Sequence, residues 1–408
     1  MSAAAAAARF GLGARPGEAA AIGGDPRGWA AAQIGPLPPV PGDLPTTAEA
    51  GHLTAAARGP EADPTARRTL RELYRRDAVA QIAAAATGPA PFAERMAWFW
   101  ANHFTVSVQR PIVAGLVGPF MREAIRPHVF GRFADLATAV TRHPAMLLYL
   151  DNAVSIGPRS VAGQRRARGL NENLARELLE LHTLGVGNYG QEDVRQLALV
   201  LTGWTIGRPG EPDAGVFRFA PALHEPGPKT LLGRTLPEGG MAEGEAALAA
   251  LARHPATARR VATALARHFV ADDPPSTLVE RLVRTWRETD GDLGAVARAL
   301  VAAPEPWATP LAKVRTPFEL VVAALRLVAP ERLAPRALAD LRRLGHTPFA
   351  APSPAGWPDT ADAWIGPEAL LRRIEWATAF AADAGDRDAP ALLDVALGPL
   401  AAAETRRV

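Results

Sequence analysis

The sequence predicts an all-α protein, a single multi-helix domain over residues 1–408 that carries a small β-hairpin insertion within 207–239. Three observations lead there. Apolar residues recur at helical spacing in most segments, as in "RRTLRELYRRDAVAQIAAAA", "HPATARRVATALARHFV", "STLVERLVRTWRET" and "PFELVVAALRLVA". Alanine, leucine and arginine dominate, and all three favour helix. Proline-rich breaks at 35–46, 207–239, 304–317 and 348–358 group the helices into clusters joined by long irregular connections. With 408 residues, 48% of them hydrophobic, the chain can bury one large core or two moderate ones.

In chain order, the start "MSAAAAAARFGLGARPGE" has neither a basic leader before an apolar stretch nor a twin-arginine pair, so the chain as given is expected to remain cytoplasmic. No apolar run is long enough to span a bilayer. "ERMAWFWANHF", 94–104, reads as a helix apolar nearly all round, with Glu94, Arg95 and Asn102 as a narrow polar seam. "PRSVAGQRRARG", 158–169, is a loop with four arginines; without aromatic platforms beside it, it reads as solvated rather than as a nucleic-acid site. "NENLARELLELHTLGVG", 171–187, reads as a helix ending near Gly185, and "NYGQEDVRQLALVLTGWT" as another that starts near Gly190, is capped by Glu192 and Asp193, and ends at Gly203. Val216, Arg218 and then Thr230–Leu232 suggest the hairpin, whose loop holds His224, Glu225 and Lys229. "PSPAGWPDTADAW" brings Trp357, Asp359 and Trp364 together, with Asp359 as a helix cap.

Composition and motifs exclude much chemistry. There is no cysteine, hence no disulfide, thiolate metal site or cysteine nucleophile. The formal charge is only +3, so no strong polyanion-binding field is expected. Walker-type glycine loops, dinucleotide fingerprints, "HExxH" and Gly-x-Ser-x-Gly elbows are missing from the sequence.

The candidate chemistry centres on 171–184. At about 100° per residue, Leu174, Leu178 and Leu181 form the apolar centre, and Glu172, Arg176 and Leu179 lie on the back. Asn173, Glu177 and Glu180 form a flanking strip. Asn171 and His182 lie on the opposite flank. Glu177 and His182 project roughly 140° apart, so this helix alone cannot chelate an ion with both. A buried strip of two carboxylates and an amide needs a partner such as Arg, His or a cation. It is either a structural network or a site at which Glu177 and Glu180 bind a metal or move protons with help from other helices. His182 near a helix end is favoured as an imidazolium. His103 falls among Phe92, Met96, Phe99 and Trp100 and is expected buried and neutral, bonded either to a backbone carbonyl or to Glu177.

Taken in order, "RFGLGARPGE", "FAERMAWFWANHFTVS", "HPAMLLYLDN", "NENLARELLELHTLGVGNYGQEDVRQLALVLTGW", "FAPALHEPGPKTLLG", "HPATARRVATALARHFV", "KVRTPFELVVAALR" and "PSPAGWPD" resemble the motif series of a bacterial family catalogued as domain of unknown function 1800. The resemblance covers nearly the whole chain. It implies homology without an established activity. It also implies a partner, because members are often exported and encoded beside an exported family with a sulfatase-like or phosphatase-like fold. On this reading no leader is expected at the start of the chain as given, and the chain departs from the pattern by carrying Glu225 after His224 where His-Asp is expected. "HTLG" at 182–185 is also similar to the proximal histidine motif of plant-type haem peroxidases, with Arg95 and Trp98 at a distal spacing but Phe99 where the distal histidine should follow.

The function expected from these residues is binding of a metal ion or small ligand by a buried His/Glu/Asn cluster. His103, Glu177, Glu180, His182 and His224 are the candidates for catalysis, and His103, Asn173, Glu177 and Glu180 the candidates for a divalent metal. The alternatives are a non-catalytic partner or assembly protein in which the cluster is structural, and a haem-binding protein. A cluster set around a reachable cavity favours ligand binding, and one in which every group is paired and sealed favours structure.

Overall fold

A computed structural model describes residues 2–58, 63–165, 169–309, 311–328 and 330–407 of the chain. It is mostly helical, with a small β-hairpin region between residues 204 and 236. Short helices between residues 3 and 56 precede the two that frame the site: α1 (Pro64–Thr87) and α2 (Pro91–His103). Each opens on a proline, whose missing N–H costs nothing in the first turn, and Asp63 caps α1 by accepting from the Thr65 N–H at 2.7 Å. The apolar circumference expected of α2 is realised by burial on all sides. Phe92 and Trp100 are 0% exposed. Phe92 meets Phe10 and Phe269 with ring centroids 5.5 Å apart in each case, and Trp100 meets Phe133 of α3 (Phe133–Arg142) at 5.9 Å. Glu94 enters this core only because Arg126 forks onto both its oxygens at 2.7 and 2.8 Å.

The segment read as one helix over 171–184 is α4 (Asn173–Glu177) running into a π-helical turn, Leu178–His182. The wider turn spaces its bonds i to i+5, which rotates the following side chains relative to an α-helical projection. Leu174 and Leu178 are buried as expected, but Leu179, projected onto the back, is 0% exposed, and Leu181, projected inward, is half-buried. The turn closes where the Thr183 hydroxyl donates to the Leu178 carbonyl at 2.6 Å. Gly185 follows with φ of 84°.

Helix α5 (Gln191–Leu201) begins where expected, and Asp193 accepts from the Gly190 N–H at 2.9 Å and from Leu232 N–H at 2.8 Å. Glu192 stays on the surface beside Gln196. The single expected hairpin is replaced by two. Strand β1 (Trp204–Ile206) pairs antiparallel with β2 (Phe217–Phe219), placing Trp204 opposite Phe219. Strand β3 (Lys229–Leu231) pairs with β4 (Arg234–Leu236) through Leu232 and Gly233, both at positive φ, as a two-residue hairpin turn requires. Strands of three residues are too short for alternation to register in sequence. Trp204 is 0% exposed, and Gly244 leaves room for it: a Cβ there would lie 2.2 Å from the indole.

The rest is helical: α6 (Met241–Arg253), α7 (Pro255–Phe269), α8 (Ser276–Glu288), α9 (Leu293–Ala302), α10 (Pro317–Val328), α11 (Pro330–Arg343) and α12 (Pro367–Ala384). One contiguous buried cluster runs from Ala6 to Phe380. Among the described residues no helix is long and apolar enough to cross a membrane.

Candidate functional site

His103 ends α2, and its Nε2 donates to the His182 carbonyl at 3.0 Å. Burial lowers its pKa to about 4, so the ring is neutral near pH 7. The carbonyl, not Glu177, is its partner. His182 is 0% exposed, with ring centroids 5.0 Å from Phe104 and 6.3 Å from His103. Neither of its ring nitrogens has a hydrogen-bond partner. Burial first, then His103 and Arg260, hold its pKa well below the usual value. The expected imidazolium is therefore corrected to a neutral core ring, because desolvation and the nearby Arg260 guanidinium outweigh the helix dipole. The same packing gives the haem reading no open axial position at His182.

Asn173 is exposed, its backbone N–H bonded to Asn171 Oδ1 at 2.9 Å. Glu177 and Glu180 are half-buried. Partial burial and the neighbouring Glu180 raise the Glu177 pKa, and Glu180 accepts from the Tyr189 hydroxyl at 2.9 Å. The strip expected between helices thus opens toward solvent at the Asn173 end. Among the described residues no group of three or more His, Asp or Glu side chains converges as a metal site would require. In the arginine loop, Arg159 pairs with Glu225; Arg166 and Arg168 lie outside the described residues.

His224 belongs to a separate, sealed group. It is 8% exposed; its Nδ1 donates to the Thr202 carbonyl at 2.8 Å, which leaves Nε2 to accept from the Lys229 ammonium at 3.2 Å. Lys229 also pairs with Glu243 at 2.7 Å and donates to the Glu225 carbonyl at 2.5 Å. The Glu225 carboxylate takes the Arg159 Nε at 2.6 Å and the Arg159 backbone N–H at 2.8 Å. Burial pushes the Glu243 pKa up, but bonds from Lys229 and the Gly239 N–H hold it below the ordinary value. The arrangement locks the hairpin region onto α6.

A second polar group lines a cavity. Arg95, Trp98, Phe99 and Asn102 recur at i, i+3, i+4 and i+7 and present one face of α2. Opposite stand Phe318 and Glu319 from the start of α10, His346, Phe349, Trp357 and Asp359, with His268 from the end of α7. The space between has about 80 Å³ of room for the centres of water-sized atoms. Its walls are aromatic: Trp98 lies 4.2 Å from Phe318 and 5.1 Å from Phe349, and His346 lies 4.9 Å from Trp357. Asn102 pins the far wall by donating to the Trp357 carbonyl at 2.9 Å and accepting from its N–H at 2.8 Å. That close approach requires Gly356, at φ of 81°, where a Cβ would lie 2.6 Å from the Asn102 carbonyl. Phe349 holds φ of 55°, a strained value for a bulky side chain.

Along this wall runs a hydrogen-bonded series of charged and polar groups. Glu319 pairs with Arg95 at 2.6 Å, Arg95 Nε donates to His268 Nε2 at 3.3 Å, and His268 Nδ1 donates to Asp359 at 2.8 Å. Lys313 then donates to the Asp359 carbonyl and to the Asp272 carboxylate, each at 2.5 Å. Burial works against the Glu319 carboxylate, but Arg95 above all, with the Thr316 N–H, brings its pKa down to about 2. Burial lowers His346 to about 3. Asp359, expected as a helix cap, instead fixes His268 in the tautomer that leaves Nε2 unprotonated.

With both groups in view, the family can be placed. The sequence profile of the family described as "Protein of unknown function (DUF1800)" matches residues 5–408. The chain belongs to that family. No curated protein and no solved structure matches it. The sequence blocks that carry the DUF1800 resemblance fall on both polar groups. "FAERMAWFWANHFTVS" supplies Arg95, Trp98 and Asn102, "HPATARRVATALARHFV" supplies His268, "KVRTPFELVVAALR" supplies Lys313 and Glu319, and "PSPAGWPD" supplies Trp357 and Asp359. "FAPALHEPGPKTLLG" supplies His224, Glu225 and Lys229.

Of the six residues singled out from sequence, His103 and His182 are brought together, Glu177 and Glu180 share a half-buried strip with exposed Asn173 beyond them, and His224 stands in its own network. The residues that sequence reading left out are Lys313, Glu319, His268 and His346. Two signals pointed toward them: Arg95 and Asn102 as a polar seam on an apolar helix, and the clustering of Trp357 with Trp364, whose rings lie 6.1 Å apart.

Proposed function

We propose that this DUF1800 chain binds a small organic ligand in the aromatic cleft between α2, the start of α10 and the loop around Trp357. The observation that carries this reading is an apolar, ring-lined cavity with a hydrogen-bonded charge series along one wall, the combination expected of a ligand pocket. The strained Phe349 backbone at the same wall supports it. The ligand in this reading is a molecule rather than a metal ion, since the carboxylates of the cleft are already paired with Arg95, His268 and Lys313 and no three carboxylates or imidazoles converge among the described residues. The test is calorimetric titration with toluene, a neutral ring that any apolar pocket accepts, on the wild type and on Ala101→Leu, which adds bulk to the cleft lining. Saturable binding that the substitution abolishes, with the fold intact, is the expected result. Absence of saturable binding to the wild type overturns the reading.

A second reading, a non-catalytic partner or assembly protein, is supported by different features. The His224 group is satisfied within the chain, and Leu370, Leu371 and Ile374 of α12 are each 50–57% exposed. Sedimentation of the wild type against Leu371→Lys tests it. An assembly that the substitution dissociates is the expected outcome of this alternative, and a monomer in both forms removes it.

A further inference from the structure

The charged groups of the cleft are spoken for. Arg95 is shared between Glu319, the His268 ring and the backbone carbonyls of Arg9 and His268. Asp359 is held by His268, and Lys313 by Asp272 and Asp359. An ionic ligand entering here would give up its hydration and find no uncommitted counter-charge, a costly exchange in an apolar site. The unused hydrogen-bonding capacity is of another kind. Trp98 Nε1, Trp357 Nε1 and His346 Nδ1 are buried atoms without a partner, and all three residues line this one cavity. Indole N–H groups of Trp100, Trp204 and Trp376 also lack acceptors, but none of those rings lines the cleft. A buried donor left unmade costs free energy that an incoming acceptor recovers.

Resting on the ligand-binding reading above, we propose that the ligand class is an uncharged, flat ring compound carrying a carbonyl or ether oxygen. The ring stacks between the aromatic walls, where Trp98, Phe318, Phe349 and Trp357 offer π faces, and the oxygen accepts from the indole N–H groups of Trp98 and Trp357. Neutral donors on aromatic rings match a neutral acceptor, because they supply hydrogen bonds without asking the ligand to shed the hydration of a full charge. His346, held neutral by burial and stacked on Trp364 at 5.1 Å, completes that neutral wall.

The experiment compares three probes of one shape and different charge, acetophenone, benzoate and benzylammonium, with toluene as the reference that lacks an acceptor, all titrated into the full chain at neutral pH. Acetophenone is expected to bind about tenfold more tightly than toluene, and both ions more weakly than toluene, following the worth of one or two recovered hydrogen bonds. Trp98→Phe and Trp357→Phe keep a ring and remove the N–H; each is expected to weaken acetophenone several-fold more than it weakens toluene, because toluene loses only part of a π face whereas acetophenone also loses the donor. Benzoate or benzylammonium binding more tightly than acetophenone overturns the class in favour of an ionic ligand. Equal binding of toluene and acetophenone overturns the role of the indoles while the pocket itself stands. Failure of all four probes is a failure of the pocket reading rather than of the ligand class alone.

Discussion

The His224 group and the cleft group are built from the same side-chain types, yet they differ in what they leave over. Around His224, Lys229 and Glu243 every charge meets its counterpart with side chains 1–6% exposed. Around Arg95, His268 and Glu319 the charges are also paired, but the pairing forms one wall of an open space whose other walls are aromatic. Complete pairing inside a packed interior fixes geometry; pairing beside a cavity fixes geometry and leaves a place for something else. The chain has only two lysines among its 45 basic residues, and they are divided between these two groups. A compact ammonium donates in three tetrahedral directions, whereas the donors of a guanidinium lie in one plane.

The comparison is broken most severely at Lys229. Lys229→Met leaves Glu243 buried without its cation, and urea unfolding should register a loss of about 3–5 kcal/mol. A loss below about 1 kcal/mol would mean that the network is not the clamp described here. Glu319→Gln strips Arg95 of its carboxylate but leaves its carbonyl acceptors in place, so a smaller loss of about 2–3 kcal/mol is expected.

The pH dependence of stability separates the contributing groups. Glu319 titrates at about 2 in the folded protein, below its ordinary 4.5, so its stabilisation is complete above pH 4.5 and lost as pH falls toward 2. His103 and His346, lowered from 6.5 to about 4 and about 3, refuse in the folded state protons that the unfolded chain accepts. Stability should therefore begin to decline already as pH drops below 6.5. In pH-dependent unfolding, His346→Phe should flatten the upper part of that decline and Glu319→Gln the part between pH 4.5 and 2. Unaltered profiles would contradict the burial assigned to these groups.

Asp359→Asn weakens the bond that orients His268 at a partly exposed position, and should cost about 1 kcal/mol while disturbing ligand uptake more than folding. The smallest effect belongs to the strip that first drew notice in the sequence. Glu177→Gln removes a half-buried carboxylate held against its neighbour Glu180, and should shift stability by no more than about 0.5 kcal/mol. A larger loss, or release of a stoichiometric metal measured by elemental analysis, would return Asn173, Glu177 and Glu180 to the centre of the function.

Helical spacing, proline and glycine breaks, and the Asp193 cap acted locally, so the helices, the buried α2 and the start of α5 were legible from residues a few positions apart. Arg95 and Asn102 were visible as polar exceptions on an apolar helix, because a polar seam on a core-facing surface must meet something. What they meet was not legible. His268 lies 173 residues from Arg95, and Trp357 lies 255 residues from Asn102. Chain folding alone sets those neighbours, since no periodicity links residues so far apart. The inward turn of Leu179 and the sealing of His182 depended on a π turn, which an α-helical projection cannot anticipate. By itself the sequence determined the helical class, most of the helices and the family; the tertiary structure decided which polar residues became a clamp and which became the wall of a cavity, because burial and pairing are properties of distant segments brought together.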